Sequence, residues 1–418
     1  MGSLDWDVSA LGFGCMRLPT SGLMKNLDEK HAIDIIREGI DLGINYLDTA
    51  WPYHGGASEV ILGKALKDGY REKVHVATKL PMFLVKTEQD FDRYLNSQLE
   101  RLQLDCIDVY LFHALNKLGF EKLKRLNLID KMENAKAEGK IRHIGFSFHD
   151  IFPVLKEIVD YYSWDVGQIQ YNYMDTCIQA TTDGLKYLHE KGVAVVIMEP
   201  LKGGLLANPP KEVHNILRKA ENQRTPVDWA LQFLWDLPEV SVVLSGMNSR
   251  QQVIENCASA DKSGVNSLTE NDRVTIQEIT NIFKKGNYVP CTGCGYCEPC
   301  PSGVSIPHNF AMMNNVLAGG RSPVDFMLKR QIKRGYNELA KSKEELETGK
   351  EGSSLLCVEC GACVPKCPQS INIPEELKKV NEVISKQKIT VKEVFQLMFY
   401  AVRNWRLVLS HIRQRGFS

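Results

Sequence analysis

"CIDVYLFH", residues 106–113, is apolar at almost every position and ends in a histidine. A strand with one wet face alternates apolar and polar residues, whereas one covered on both faces does not. The stretch therefore reads as a parallel strand inside a sheet. Seven others are of the same kind, at 10–14, 45–50, 74–80, 141–147, 166–172, 192–201 and 240–246. Amphipathic helical patterns separate them, among them 29–42, 88–101 and 121–138. Eight strand-then-helix units in succession predict an α/β fold, the (β/α)8 barrel. The competing arrangement, an open doubly wound sheet, wants a glycine-rich turn that opens a helix after the first strand. Here "LGFGCMRLP" (11–19) opens no helix, and that arrangement is set aside.

A last helix over 268–285 ends the barrel. The expected division is then a barrel at 1–286, a smaller, mostly helical domain at 287–385 and a C-terminal amphipathic helix at 386–418. Lysine plus arginine equals aspartate plus glutamate, 51 each, which excludes nucleic-acid binding driven by bulk charge. The opening "MGSLDWDVSALGFG" carries acids where a signal peptide carries bases. Apolar runs such as "VAVVIM" (193–198) and "LMFYAV" (397–402) are far too short to span a bilayer. The expected location is the cytoplasm.

Eight of the twelve cysteines fall in two tight groups after residue 290. Clustered thiols in a reducing compartment bind metal more often than they form disulfides. The second group is Cys357, Cys360, Cys363 and Cys367, followed by proline, with the C-x2-C-x2-C-x3-C-P spacing of bacterial ferredoxins. Three thiolates at steps of three wrap three corners of a cubane and leave the fourth iron to a distant ligand. Zinc sites instead use two separated pairs. The first group, Cys291, Cys294, Cys297 and Cys300, differs by one residue before its last cysteine and also ends in Cys-Pro. Two such groups predict two [4Fe–4S] clusters, the last cysteine of each crossing to the other. One is expected on Cys291, Cys294, Cys297 and Cys367, the other on Cys357, Cys360, Cys363 and Cys300.

Barrels of this kind do their chemistry at the C-terminal ends of the strands. Asp48 and Tyr53 follow the second strand, Lys79 ends the third and His113 ends the fourth. A tyrosine with a pKa of about 10 is a poor acid near neutrality. A lysine cation beside it favours the phenolate. An aspartate would hold that lysine charged, and a histidine would orient a carbonyl oxygen while Tyr53 protonates it.

"NYLDTAWPYHGGASE" (45–59), "VATKLP" (76–81), "DVYLFHAL" (108–115), "IRHIGFS" (141–147), "EPLKGGLL" (199–206) and "SGMNSRQQVIENC" (245–257), with "LGFGCMRLP", together resemble the aldo/keto reductase superfamily over residues 10–260. The whole chain resembles the branch with a C-terminal 4Fe-4S ferredoxin-type domain. The resemblance implies that Asp48, Tyr53, Lys79 and His113 are the catalytic tetrad and that NAD(P)(H) is the cofactor. It places Ser147 and Gln168 on the carboxamide and Met198 where many members stack a tyrosine on the ring. Pro200, Leu201 and Gly203 fall in the loop that covers the pyrophosphate. Gly246 and Gln252 stand where NADPH-specific members often carry lysine and arginine, with Arg250 an adjacent cation. Asn248, Ser249, Glu255 and Asn256 remain suited to a nucleotide. The usual asparagine after Ser147 is Phe148 here.

Nicotinamide gives two electrons as hydride, whereas each cluster passes one, so a flavin or the substrate must divide the pair. FMN in the nicotinamide site is one such arrangement. The favoured reading is an oxidoreductase that interconverts a small carbonyl and alcohol, with clusters that exchange electrons with a ferredoxin-like partner. The alternatives are a plain NAD(P)H carbonyl reductase with structural or redox-sensing clusters, and a non-catalytic nucleotide-binding electron-transfer module. From 391 to 415, Val394, Phe395, Met398, Val402, Trp405 and Leu409 mark one apolar helical face, with Arg403, Arg406 and Arg413 opposite. That helix either packs on the rest of the chain or serves as a site for protein or peripheral membrane docking.

Overall fold

The structure is a computed structural model and describes residues 1, 4, 6–21, 26–286, 288–317, 336 and 352–385. The expected helix at 386–418 lies outside them. Eight parallel strands close into a barrel. They are β1 (Leu11–Gly14), β2 (Tyr46–Asp48), β3 (His75–Leu80), β4 (Ile107–Leu115), β5 (Ile141–Phe148), β6 (Val166–Gln170), β7 (Ala194–Met198) and β8 (Val240–Ser245). Each pairs with the next in sequence, and β1 closes on β8 with Leu11 opposite Val243. All eight apolar runs read from the sequence are strands.

Side chains alternate between the two faces of a strand. The inward positions Tyr46, Ala77, Val109, Leu111, Val166, Ala194, Val196, Val242 and Leu244 form one buried cluster that fills the barrel. The outward set, including Val76, Leu80, Tyr110, Phe112, Ile144 and Phe146, packs under the surrounding helices in a second, larger core. Fully burying one such side chain stabilises the fold by about 1.5–3 kcal/mol, so continuous apolar strands are what a barrel dry on both sides requires.

Leu4 joins the interior cluster, with Trp6 and Val8 packed against it. Trp6 stacks on His75, the first residue of β3, at 4.0 Å between centroids, and meets His143 edge-on at 4.4 Å. These contacts cover the end of the barrel opposite the expected site.

The pattern at 121–138 forms two helices, Lys117–Arg125 and Leu128–Ala137, where the sequence suggested one. Asn127, with φ 46°, takes the left-handed conformation that ends the first of them. The helix expected at 268–285 spans Glu270–Lys285. Of the segment between the two cysteine groups, the helix Ile306–Leu317 is described.

Contacts divide the chain into two units, 1–201 with 224–276, and 202–223 with 277–418. The second unit thus takes in a stretch from the loop after β7. Within it Gly203, at φ 63°, lies against the first cysteine group. A Cβ there would come 2.6 Å from Thr292 Cα, so neither the backbone angle nor the space admits a side chain. A buried core of Val289, Val304, Ile306, Phe310, Ile371, Ile373, Leu377 and Val380 supports both cysteine groups.

Candidate active site and cysteine centre

Asp48 follows Tyr46 by two residues, Lys79 follows Ala77, His113 follows Leu111, and Gln168 follows Val166. Each is therefore the next inward position at the C-terminal end of a strand whose earlier inward residue fills the barrel. Asp48, Lys79, His113, Ser147 and Gln168 are 1–3% exposed. The same period that packs the interior delivers them to one face.

Lys79 Nζ donates to both Asp48 carboxylate oxygens, at 2.7 and 2.8 Å, and to the Thr49 carbonyl at 2.7 Å. An ammonium has three donors, and all three are used. The same nitrogen lies 5.1 Å from the centroid of the Tyr53 ring. His113 meets that ring edge-on, 6.1 Å between centroids. The four expected catalytic residues are brought together. Burial raises the Asp48 carboxyl and lowers the Lys79 ammonium from their usual ranges, and their mutual ion pair opposes both shifts. Burial, then the Lys79 charge, then His149 hold His113 well below the ordinary imidazole range. His113 is thus neutral near pH 7 and keeps one N–H to donate.

The tetrad rests on residues that the sequence reading did not single out. Gln98 Nε2 donates to the Lys79 carbonyl at 3.1 Å, and Tyr110 donates to Gln98 Oε1 at 2.7 Å. Thr78 Oγ1 donates to the fully buried Glu59 at 2.7 Å. Arg101 pairs with Glu59 at 3.1 Å and lies over the Trp51 ring at 3.4 Å. These contacts fix β3 and the loop that carries Tyr53. A signal was present, since Gln98 falls on the stripe Phe91, Leu95, Gln98, Leu102 that helix Gln89–Leu102 buries.

Gln168 lies beside Asp48 and favours its charged form, while its own Oε1 is buried without a partner. An orphaned acceptor beside the tetrad fits a carboxamide N–H. Ser147 sits opposite Gln168 in the β5–β6 register, and its Oγ accepts from Ala114 N at 2.8 Å. Met198 ends β7 and is half-buried; Pro200, two residues on, is buried and Leu201 half-buried.

The other nucleotide positions gather after β8. Ser249 caps helix Arg250–Ala260 by accepting from Gln252 N, and Asn248 N donates to Gln252 Oε1 at 2.8 Å. Asn256 donates to Ser245 Oγ at 3.0 Å, and Glu255 accepts from Gln251. Gly246 lies under the Arg17 side chain, so that a Cβ there would meet Arg17 Cγ at 2.9 Å. Arg250, the adjacent cation, is engaged by Glu38 at 2.7 and 2.8 Å.

None of the twelve cysteines forms a disulfide. Cys291, Cys294, Cys297 and Cys367 line one cavity with Ile306, Phe310, Ile371 and Ile373. Burial and the neighbouring Cys294, Cys291 and Cys367 push the Cys297 thiol up, with Glu298 adding to them. Burial also raises Cys363, and there the thiol neighbours are Cys300, Cys357 and Cys360. Each group's last cysteine therefore stands among the other group's first three. Gly293 N donates to Cys291 Sγ at 3.4 Å. Among the described residues no three His, Cys, Asp or Glu side chains converge as a single ion requires. The first set rings a space, the arrangement a cubane needs, and the donors are the thiols such a cluster takes.

The sequence pattern of the aldo/keto reductase family matches residues 10–272, and that of the 4Fe-4S dicluster domain matches 290–373. The chain is 33% identical over 309 residues to an L-galactose dehydrogenase of Arabidopsis thaliana, across 68% of this chain and 93% of that protein. It is 26% identical to an NADH-specific methylglyoxal reductase of Escherichia coli, across 68% of this chain and 98% of that one. The solved structure of an aldo-keto reductase from Bacillus halodurans, AKR11C1 in its holo form, superposes with a TM-score of 0.56. It has 30% identity and covers 67% of this chain and 94% of its own. Among the described residues no helix is long and apolar enough to cross a membrane. The chain belongs to the aldo/keto reductase family and is an oxidoreductase that carries, after its barrel, a domain of the 4Fe-4S dicluster type.

Proposed function

We propose that the barrel interconverts a small carbonyl compound and its alcohol with a nicotinamide cofactor. We also propose that two [4Fe–4S] clusters exchange single electrons with a ferredoxin-like carrier. The observation that carries the first part is the Lys79 ammonium, fully satisfied by Asp48 and Thr49 and facing the Tyr53 ring with neutral His113 alongside. When bound, a reduced nicotinamide supplies hydride to the carbonyl carbon. Tyr53 gives its phenolic proton to the carbonyl oxygen, Lys79 stabilises the phenolate left behind, and His113 donates a hydrogen bond that holds the oxygen in place. In the oxidative direction the same groups run in reverse. Ser147 and the free acceptor of Gln168 would hold the carboxamide.

The clusters are assigned to Cys291, Cys294, Cys297 and Cys367, and to Cys357, Cys360, Cys363 and Cys300. Support comes from the cavity ringed by the first set and from the neighbours of Cys363. An anaerobic optical and EPR titration of the reconstituted full chain, with iron, sulfide and flavin assays, tests the whole. The expected result is about eight irons per chain and a flavin that splits the hydride pair, with cluster bleaching by a pyridine nucleotide. Bleaching by dithionite alone would separate the two chemistries, FMN in the assay would identify what divides the electron pair, and zinc would refute the clusters.

The cofactor is expected to be NADH. Gly246 and Gln252 carry no charge, and Glu38 engages Arg250, the adjacent cation. Glu38→Gln should release Arg250 and tighten NADPH binding about tenfold relative to NADH, a difference of about 1.4 kcal/mol. Fluorescence titration with both nucleotides would check this, and an unchanged ratio would refute it.

A further inference from the structure

The two cysteine sets differ in exposure at one residue each, Cys297 buried in the first and Cys360 exposed in the second, the other six being half-buried. In the first, Cys297 is 8% exposed and the cavity wall is Ile306, Phe310, Ile371 and Ile373, each 5% exposed or less. In the second, Cys360 is exposed. Its neighbours Leu355, Val358 and Val364 are 51%, 69% and 38% exposed, unusual values for large apolar side chains. Lys366, in the same loop, is exposed as well.

Placing an electron on a cluster adds a negative charge. An apolar, enclosed site resists that charge, whereas a solvated site with a cation nearby accepts it more readily. Electron exchange also falls steeply with distance, so an external carrier reaches a cluster with a surface ligand far faster than one behind a hydrophobic wall. Solvent exposure and potential thus point the same way.

We infer that the clusters are unequal: the set Cys300, Cys357, Cys360 and Cys363 holds an outer, higher-potential cluster through which single electrons pass to and from an external carrier, and the set Cys291, Cys294, Cys297 and Cys367 holds an inner, lower-potential one. This rests on the cluster reading given above. Each transfer removes one electron from the carrier and adds one to the outer cluster, or the reverse, with no bond made or broken. The inner cluster reaches the carrier only by way of the outer one.

The test is stepwise reductive titration of the reconstituted full chain followed by EPR, with and without a dysprosium chelate in the bulk solvent. The first electron should appear in a signal whose relaxation the chelate strongly accelerates. Val358→Glu, which leaves every thiol in place, should lower the midpoint of that signal and leave the second unmoved. Cys360→Ser should alter the first signal only, and Cys294→Ser the second only. A first-reduced signal insensitive to the chelate, equal response of both signals, or a shift of the second by Val358→Glu would overturn the order. A chain that binds neither iron nor sulfide would overturn the cluster reading itself and the inference with it. Iron and sulfide assays on the same sample tell these failures apart.

Discussion

Lys79→Met is expected to cost about 3–5 kcal/mol of stability together with the carbonyl chemistry. Lys79 and Asp48 are 1% and 3% exposed, and the ammonium spends its three hydrogens on the two carboxylate oxygens and the Thr49 carbonyl. Methionine fills much of the volume and removes the charge, leaving the Asp48 carboxylate in a dry site without its cation. An uncompensated buried carboxylate is the costly state, more than the loss of the pair as such. Adding Asp48→Asn to Lys79→Met should therefore recover a large part of the stability and none of the activity. Urea unfolding of the parent, Lys79→Met, Asp48→Asn and the double variant gives the coupling directly. If Lys79→Met unfolds at the same midpoint as the parent, the buried ion pair has no such weight.

Tyr53→Phe should act on rate alone. The ring contacts with Lys79 and His113 are made by the aromatic face and edge, which phenylalanine keeps. Only the hydroxyl disappears, and with it the proton the carbonyl oxygen needs. A fall of about 10²–10⁴-fold in kcat is expected, the usual weight of a positioned general acid. Stability and nucleotide affinity should stay at parent values. Turnover of a panel of small aldehydes and ketones, paired with nucleotide titration, separates these effects. Parent-like turnover in Tyr53→Phe would mean that another group or water delivers the proton.

The barrel was legible because each strand is buried on both faces and so appears as an apolar run that needs no partner to be recognised. The cluster of buried polar residues at the strand ends was legible for a related reason. Asp48, Lys79 and His113 are polar residues at the ends of such runs, where packing alone would have kept an aliphatic side chain. Gln98, Glu59 and Arg101 escaped notice because their role depends on which helix face meets β3, and a glutamine within an amphipathic pattern carries no label. Trp6 and its stack on His75 were equally silent, since the contact joins residues far apart in sequence. The break at Asn127 went unread because the apolar period continues through it. Asparagine is among the few residues that enter the left-handed region at modest cost. For the cysteines, spacing alone pointed to two proposed ligand sets, and the ferredoxin pattern implied the crossing between them. The contrast in exposure between the two sets belongs to tertiary packing and had no sequence signal.

The stretch 202–223, which follows β7 and yet groups with residues 277–418, bears on how such a chain is built and made. During synthesis the second unit's first portion leaves the ribosome dozens of residues before its cysteines exist, and must wait for them. The loop after β7 and the tail make up one contact unit. The same holds for anyone who cuts the molecule: a fragment that begins at residue 277 lacks the segment bearing Gly203, and a transplanted tail would need its loop to travel with it.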